Sequence, residues 1–323
     1  MKKTSILLAI ISTIAFYCCT NETSEAKKIV VLKEPGSIEE LGELLFFDPI
    51  LSKDSSISCA SCHKPAFAFS DNVPFSFGVD SLLGGRNTPS AMNLADQSFF
   101  FHDGRAESLE DQAKGPIENP VEMNLPLSVA IDRLKRHSQY KAFFLKQFNQ
   151  APTIENLTKA IADYERSLAT ADTPFDDYMS KLDTTQFSEA AKRGRQIFNH
   201  KAKCFDCHFG PDFNGGQFRN IGLFNGKDLN DSGRYVVTKK PGDIGKFKTP
   251  GLRNVTVTGP YMHNGMFKTL KEVIDYYDTP DKFVANSINR DSLLSKPLGL
   301  TTQEKNDLET FLISLTDRQF LKK

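Results

Sequence analysis

The 323 residues contain no tryptophan, and only six cysteines and six histidines. Lysine plus arginine matches aspartate plus glutamate at 40 each. A chain with no net charge does not draw in a polyanion, which excludes a nucleic-acid partner held by bulk charge. A local patch for docking a small protein is still allowed. Long apolar runs are also missing: the longest, Ile6 to Tyr17, is too short to cross a membrane comfortably. Cys18 and Cys19 lie together near the start, and the other four cysteines fall in two short runs, leaving none for a disulfide in the body of the protein. The length suits two domains of ordinary size, each with its own core.

The two cysteine runs are Cys59-Ala60-Ser61-Cys62-His63 and Cys204-Phe205-Asp206-Cys207-His208. In C-x-x-C-H the two thiols form thioethers to a haem and the histidine becomes the proximal iron ligand. At this composition one such run is expected by chance roughly 0.002 times, so two carry strong weight. A zinc or redox C-x-x-C would leave the histidine that follows each pair unexplained. Two covalent c-type haems are therefore expected, on Cys59, Cys62 and His63 and on Cys204, Cys207 and His208.

The start reads as a targeting segment: Lys2 and Lys3, the apolar run, then polar Thr20, Asn21 and Glu22. Residues 1–19 are expected to be a signal and 20–34 a polar tether. Cys18 directly after the apolar run resembles a bacterial lipoprotein signal, although Ala15-Phe16-Tyr17 departs from the usual small residues. A lipid anchor at Cys18 and a plain cleaved signal both imply export to the periplasm or cell envelope, where c-type haem is attached.

The rest of the chain repeats itself. Gly42-x-x-Leu45-Phe46 precedes the first haem run and Gly194-x-x-Ile197-Phe198 the second. Downstream the match holds at a constant offset of 161: Thr88-Pro89 with Thr249-Pro250, Asn93 with Asn254, His102-Asp103-Gly104 with His263-Asn264-Gly265, and Ser108-Leu109 with Thr269-Leu270. This predicts a duplicated haem domain, over 35–183 and 184–323. Ile38, Leu41 and Leu45 share a helix face after a capping box at Ser37 and Glu40. Leu308, Phe311, Leu312 and Leu315 form a closing helical stripe after Thr301 and Glu304. Few runs look like strands, the best being Tyr235-Val236-Val237-Thr238. The predicted class is mainly α, two cytochrome c-like domains each wrapped around one covalent haem, with the Gly- and Pro-rich stretches 71–90 and 209–260 as long loops.

The halves differ where the chemistry is expected. At the same offset Tyr277 falls opposite Pro116, and Val273 opposite Gln112. If these segments cover the distal faces, the second iron takes a phenolate from Tyr277 and the first faces Pro116, which cannot ligate. An iron with an open sixth position binds a small oxidant; one with two protein ligands only passes electrons. Glu122 lies close by in sequence. A carboxylate there can move a proton between the peroxide oxygens, and Gln112 can orient the peroxide. The alternative is that Gln112 and Glu122 are solvated helix and loop residues.

Over residues 37 to 316 these motifs resemble the bacterial di-haem cytochrome c peroxidases and the related enzyme MauG. The resemblance rests on Leu41-Gly42-x-x-Leu45-Phe46-Phe47-Asp48 leading to Ser58 and the first haem run, and on Arg86-Asn87-Thr88-Pro89-Ser90. It continues through Asp103-Gly104-Arg105-Ala106, Gln112-Ala113, Pro116 and Pro120-x-Glu122-Met123. Thr249-Pro250-x-Leu252-Arg253-Asn254-Val255 and Pro260-Tyr261-Met262-His263-Asn264-Gly265 complete it. It implies that His63 holds the peroxidatic haem and His208 the electron-transfer haem, with Gln112 and Glu122 as the distal pair. Tyr277 stands where the peroxidases carry an axial Met and MauG an axial Tyr. Asn87, with the backbone carbonyls of Thr258 and Pro260, matches an interdomain calcium site, and an all-oxygen ligand set suits that ion. The implied partners are hydrogen peroxide, a small electron-donor protein (cytochrome c or cupredoxin) and, as in many relatives, a second copy of the chain.

Three departures shape the expectation. Many of these peroxidases block the resting peroxidatic haem with a His sixteen residues past the proximal one; here that position is Val79, which predicts an open iron without prior reduction. The family's inter-haem Trp is replaced by His102, a poorer carrier of a transient hole, so electron transfer passes His102 by tunnelling or takes a shifted path. Tyr277 in place of Met lowers the second haem's potential, because phenolate stabilises ferric iron. Arg86, Arg105 and Arg253 are candidate partners of haem propionates. The leading reading is a di-haem peroxidase that reduces peroxide to water. A MauG-like oxidase of a protein or organic substrate and a non-catalytic di-haem carrier are the alternatives.

Overall fold

In the computed structural model the described residues are 31–321. The targeting segment, Cys18, Cys19 and tether residues 20–30 lie outside them. From Glu34 onward the described residues form one compact unit. In chain order the helices are α1 (Ile38–Phe47), α2 (Cys59–Cys62), α3 (Leu109–Glu118), α4 (Leu127–Arg136), α5 (Ser138–Phe148), α6 (Ile154–Ser167) and α7 (Pro174–Ser180). They continue with α8 (Glu189–Asn199), α9 (Tyr235–Thr238), α10 (Leu270–Asp278), α11 (Thr302–Ile313) and α12 (Arg318–Leu321). One antiparallel ribbon pairs β1 (Phe218–Arg219) with β2 (Phe247–Lys248). The architecture is mainly α, as expected.

The duplication is visible in the packing. Leu41, Leu45 and Phe46 bury one face of α1 against α6, and Ala191 and Phe198 do the same for α8 against α11. Each pair crosses at a glycine: a Cβ on Gly42 would stand 1.9 Å from the Ala160 carbonyl oxygen, and one on Gly194 1.9 Å from that of Asp307. No other residue lets the backbones approach so closely. Beside each crossing sits an aromatic trio. Phe46, Phe69 and Tyr164 have ring centroids 5.2–6.4 Å apart, and Phe198, Phe213 and Phe311 5.1–6.2 Å apart, all edge to face.

The loops repeat as well. The bridges Phe100–Ala106 and Tyr261–Phe267 occupy matching positions. Asn93 and Asn254 both take the left-handed conformation, at φ 58° and 62°, which asparagine tolerates better than most residues. Their backbone N–H groups donate to the Leu168 and Leu315 carbonyls, at 2.7 and 3.1 Å. Both side-chain amides donate to one hydroxyl, Thr170 Oγ1, at 2.9 and 2.8 Å, tying the repeats together. α7 precedes position 184 in sequence, yet its Phe175 packs on the second core beside Phe187, Phe213 and Phe311.

Two local expectations need correction. Tyr235–Thr238 is a single helical turn, α9, and not a strand. Four residues with β-branched centres are too few to impose a strand without a partner edge. Here Arg234 donates its N–H to the Lys246 carbonyl, and Lys239 at φ 57° closes the turn. At the start of α1, Ser37 Oγ accepts from Glu40 N at 3.1 Å, but Glu40 Oε2 accepts from Gly36 N at 2.8 Å, so the box is not reciprocal. The Thr301–Glu304 box is complete.

Candidate active site

Each Cys-x-x-Cys-His run is shaped to aim a histidine. In the first, Ser61 Oγ accepts from Ser58 N at 3.0 Å, and α2 closes with His63 N donating to Cys59 O at 2.9 Å. Ala68 and Phe69 then turn through positive φ, bringing the Phe69 carbonyl 2.9 Å from His63 Nδ1. In the second, Lys203 at φ 54° starts a tight turn, His208 N donates to Cys204 O at 2.8 Å, and the Phe213 carbonyl lies 2.8 Å from His208 Nδ1. A carbonyl only accepts, so Nδ1 carries the proton in both rings and Nε2 keeps its lone pair for a metal. Burial lowers the pKa of both imidazoles, which keeps them neutral, as ligation requires.

Both runs open onto one continuous, largely apolar cavity of about 910 Å³. Its size is at the upper end of ordinary small-molecule pockets. All four thiols are unpaired and lie on its wall. Two thiols and a buried neutral imidazole beside such a space, twice over, fit covalent haem and not a zinc centre. Among the described residues no cluster of three or more metal-ligating His, Cys, Asp or Glu side chains is found.

Gln112 and Pro116 on α3, and Glu122 just beyond it, line the cavity on the side of the first run. Pro116 has no N–H and offers no ligand; its carbonyl accepts from Met123 N at 3.1 Å, folding the chain back so that Glu122 returns to the cavity. Burial raises the Glu122 pKa, while Asn119 Nδ2, donating to Oε1 at 2.6 Å, and Arg105 oppose that rise. Val79 is buried away from the cavity, and its N–H donates to the Glu122 carbonyl at 2.8 Å. The loop that could carry a blocking His instead braces Glu122. Met92 and Met123 also line the cavity; the Met92 sulfur accepts from Asn254 Nδ2 at 3.6 Å.

On the other side Val273 and Tyr277 face the cavity. Tyr276 does not: it is fully buried and its hydroxyl donates to the Ile221 carbonyl at 2.5 Å. Among the described residues the Tyr277 hydroxyl has no hydrogen-bond partner. Burial pushes this phenol well above its ordinary pKa, so it ionises only against a nearby cation.

Between the two runs His102 Nε2 lies 2.8 Å from the Asn87 carbonyl, and burial lowers the ring to about 4, leaving it neutral. His263 stacks on Phe247 with centroids 3.9 Å apart, and its carbonyl accepts from Asn87 N at 2.7 Å. The three arginines expected at propionates line the cavity but already hold carboxylates: Arg86 with Asp103 and Asp231, Arg105 with Asp103, Arg253 with Asp176 and Asp212. The sequence reading missed Lys248, which lines the cavity, bonds Gln97 Oε1 and has no carboxylate partner among the described residues. Burial lowers it to about 8, still largely cationic at neutral pH. An unpaired buried cation of this kind suits a haem propionate. The offset of 161 places Lys248 opposite Asn87, which was the available signal.

The di-haem cytochrome c peroxidase family profile matches residues 37–184. MauG of Methylorubrum extorquens is 37% identical over 279 residues, covering 85% of this chain and 77% of that protein. This chain belongs to the di-haem cytochrome c peroxidase family. Cytochrome-c peroxidase IdrP1 of a Pseudomonas species is 37% identical, covering 87% of this chain and 82% of its own length. The crystal structure of a MauG-like protein associated with microbial copper homeostasis superimposes with TM-score 0.78 at 28% identity, covering 91% of this chain and 94% of that one. Family membership brings two c-type haems.

Proposed function

We propose that this protein reduces hydrogen peroxide to water at the haem held by His63, drawing two electrons from a small redox protein through the haem held by His208. The observation that carries this reading is the unequal cavity wall, with Gln112, Pro116 and Glu122 on one side and Tyr277 on the other. When bound, the haems supply the redox chemistry and the site for the oxidant. The chain's own groups do the rest. Pro116 leaves the first position free of a protein ligand. The Gln112 amide orients peroxide by hydrogen bonds, and Glu122 accepts the proton of one peroxide oxygen and delivers it to the other. Tyr277 would hold the second haem through its phenol oxygen, and His102, kept neutral and lining the same cavity, would stand in the place of the family's Trp.

Two haem domains, over 35–183 and 184–323, are the units of this reading, and export to the periplasm or cell envelope is its setting, with Cys18 as the anchor where the lipid is added. Calcium belongs at Asn87 with the Thr258 and Pro260 carbonyls. The Asn87 side-chain nitrogen is spent on the Val73 and Pro74 carbonyls at 3.0 and 3.3 Å, which leaves Oδ1 for a cation. The donor is a small cytochrome or cupredoxin, and pairing of two copies follows the habit of the relatives.

A MauG-like oxidation of a protein or organic substrate is the second reading, and Tyr277 favours it, because a phenolate lowers the potential of the second haem. A simple carrier needs a side-chain ligand at both irons, which Pro116 does not offer. The deciding experiment mixes the as-isolated ferric protein with peroxide and reduced cytochrome c. Rapid donor oxidation without pre-reduction is the expected result. A long-lived oxidised spectrum with slow donor oxidation would move the assignment to the oxidase, and no spectral response to peroxide would leave the carrier.

A further inference from the structure

Glu165 is a carboxyl that nothing above uses. It sits on α6 one turn after Ile161, so the apolar stripe Leu157–Ile161 ends in an acid. The residue is 6% exposed, both it and Ile161 line the cavity, and its Oε2 is buried without a hydrogen-bond partner among the described residues. Buried polar atoms in native proteins nearly always have a partner, so an orphan facing a cavity points to something inside that cavity.

The internal repeat shows how specific this acid is. Ala160 meets Gly42 where Asp307 meets Gly194, and Leu168 receives Asn93 where Leu315 receives Asn254, a common separation of 147 residues between α6 and α11. In that register Ile161 matches Leu308 and Glu165 matches Leu312, and all four line the cavity. The second half fills the position with an apolar side chain. Only the half that carries Gln112, Pro116 and Glu122 has a carboxyl there.

Peroxide reduction needs protons that this distal pair does not supply. H2O2 with two electrons and two protons gives two waters; Glu122 only relocates a proton already on the peroxide. We propose that Glu165 is a second proton-carrying carboxyl of the first haem's cavity, serving the oxygen that loses its proton to Glu122. The other oxygen leaves as water with the relocated proton, while the stripped one needs two electrons, which come from the donor protein, and two protons, which Glu165 gives one at a time, becoming a carboxylate and regaining each proton from solvent. The inference rests on the peroxidase reading for its purpose, but not for the placement of the acid.

The surroundings favour a carboxyl that holds its proton at neutral pH. Glu165 is pushed up to about 8, chiefly by desolvation, with Arg166 opposing the rise and Glu110 on α3 adding to it. Arg166 is already bonded to Glu110 and Asp163. From α1, Glu39 and Glu43 act on Tyr164, and from α4 Arg133 is tied to the Ile50 and Ser52 carbonyls. On the attachment run, the Cys59 thiol feels both Glu165 and Glu122, which puts the two acids in one neighbourhood.

The test uses the haem-loaded protein. Infrared difference spectra between ferric and ferrous states at pH 7 should show a protonated carboxyl band that shifts in D2O and is lost in Glu165→Gln. Peroxide turnover in that variant should fall about a hundredfold with both haem spectra intact, and the wild-type fall in rate above about pH 8 should disappear. If Glu165→Gln does not accumulate, Glu165→Asp must shift the band. A wild-type pH profile in the Gln variant, or an unchanged band in either variant, overturns the proposal. Should the wild-type protein not consume peroxide, the peroxidase reading and the catalytic purpose of Glu165 fail together, while the infrared band still decides whether the acid is held protonated.

Discussion

The two halves share a scaffold down to the crossing glycines, the aromatic trios and the left-handed asparagines, yet the walls they turn to the cavity differ. One presents Gln112, Pro116, Glu122 and Glu165; the other presents Val273, Tyr277 and Leu312. Duplication supplies two equal binding frames, and a handful of side chains on the helices over each frame assigns them different work. Frame positions are set by backbone approach and are intolerant of change. Wall positions point into open space, so a carboxyl can stand where a Leu stood without disturbing the helix crossing behind it.

The comparison can be broken at its strongest point by Glu122→Gln. This removes the proton relay from the first wall and should cost about a thousandfold in the rate with peroxide, read by stopped-flow absorbance, with both haems retained. An unchanged rate would remove Glu122 from the chemistry. Next comes the second wall. Tyr277→Met exchanges a phenolate for a thioether and should raise the potential of that haem by about 0.1 V or more, with the other haem unmoved in a spectroelectrochemical titration. A potential that stays put would mean Tyr277 does not touch the iron.

The shared frame should fail equally on both sides. Gly42→Ala and Gly194→Ala each force a Cβ against a carbonyl oxygen, and each should lower unfolding stability by about 1–3 kcal/mol in denaturant titrations. A loss at one glycine only would show that the repeats do not carry equal strain. The remaining expected effect is a pH slope. Glu165 is raised in the folded state from 4.5 to about 8, so the folded protein binds more protons than the unfolded chain between those values. Stability contributed by the protonated acid is full below about 4.5 and lost as pH rises through 8. Glu165→Leu makes the first half resemble the second and should flatten that part of the melting-temperature profile; a profile that keeps its slope places the titration elsewhere.

Much of this was legible in the chain. The haem runs are local, with ligands one to four residues apart, and the offset of 161 carried the register of α3 onto α10 without any structure. Tyr235–Thr238 was not legible, because a four-residue run has no shape until a neighbouring edge or loop supplies one. The carboxylates that the arginines hold were not legible, because Asp231 and Asp176 among them are distant in sequence. Glu165 carried a readable signal, a charge on an apolar stripe, whose meaning depended on knowing that α6 packs across α1 and turns Ile161 and Glu165 to the cavity.

The order of residues by itself determined that the chain carries two Cys-x-x-Cys-His runs, that it is a duplication, and which positions of the copies had diverged, since all three are matters of spacing and identity. Only the folded chain decided that both histidines keep Nε2 free, that Lys248 and not the arginines lacks a carboxylate, and that Tyr277 and not Tyr276 meets the cavity. Those outcomes depend on which distant carbonyl or carboxylate arrives at a given side chain. Packing sets that meeting, and no local pattern encodes it.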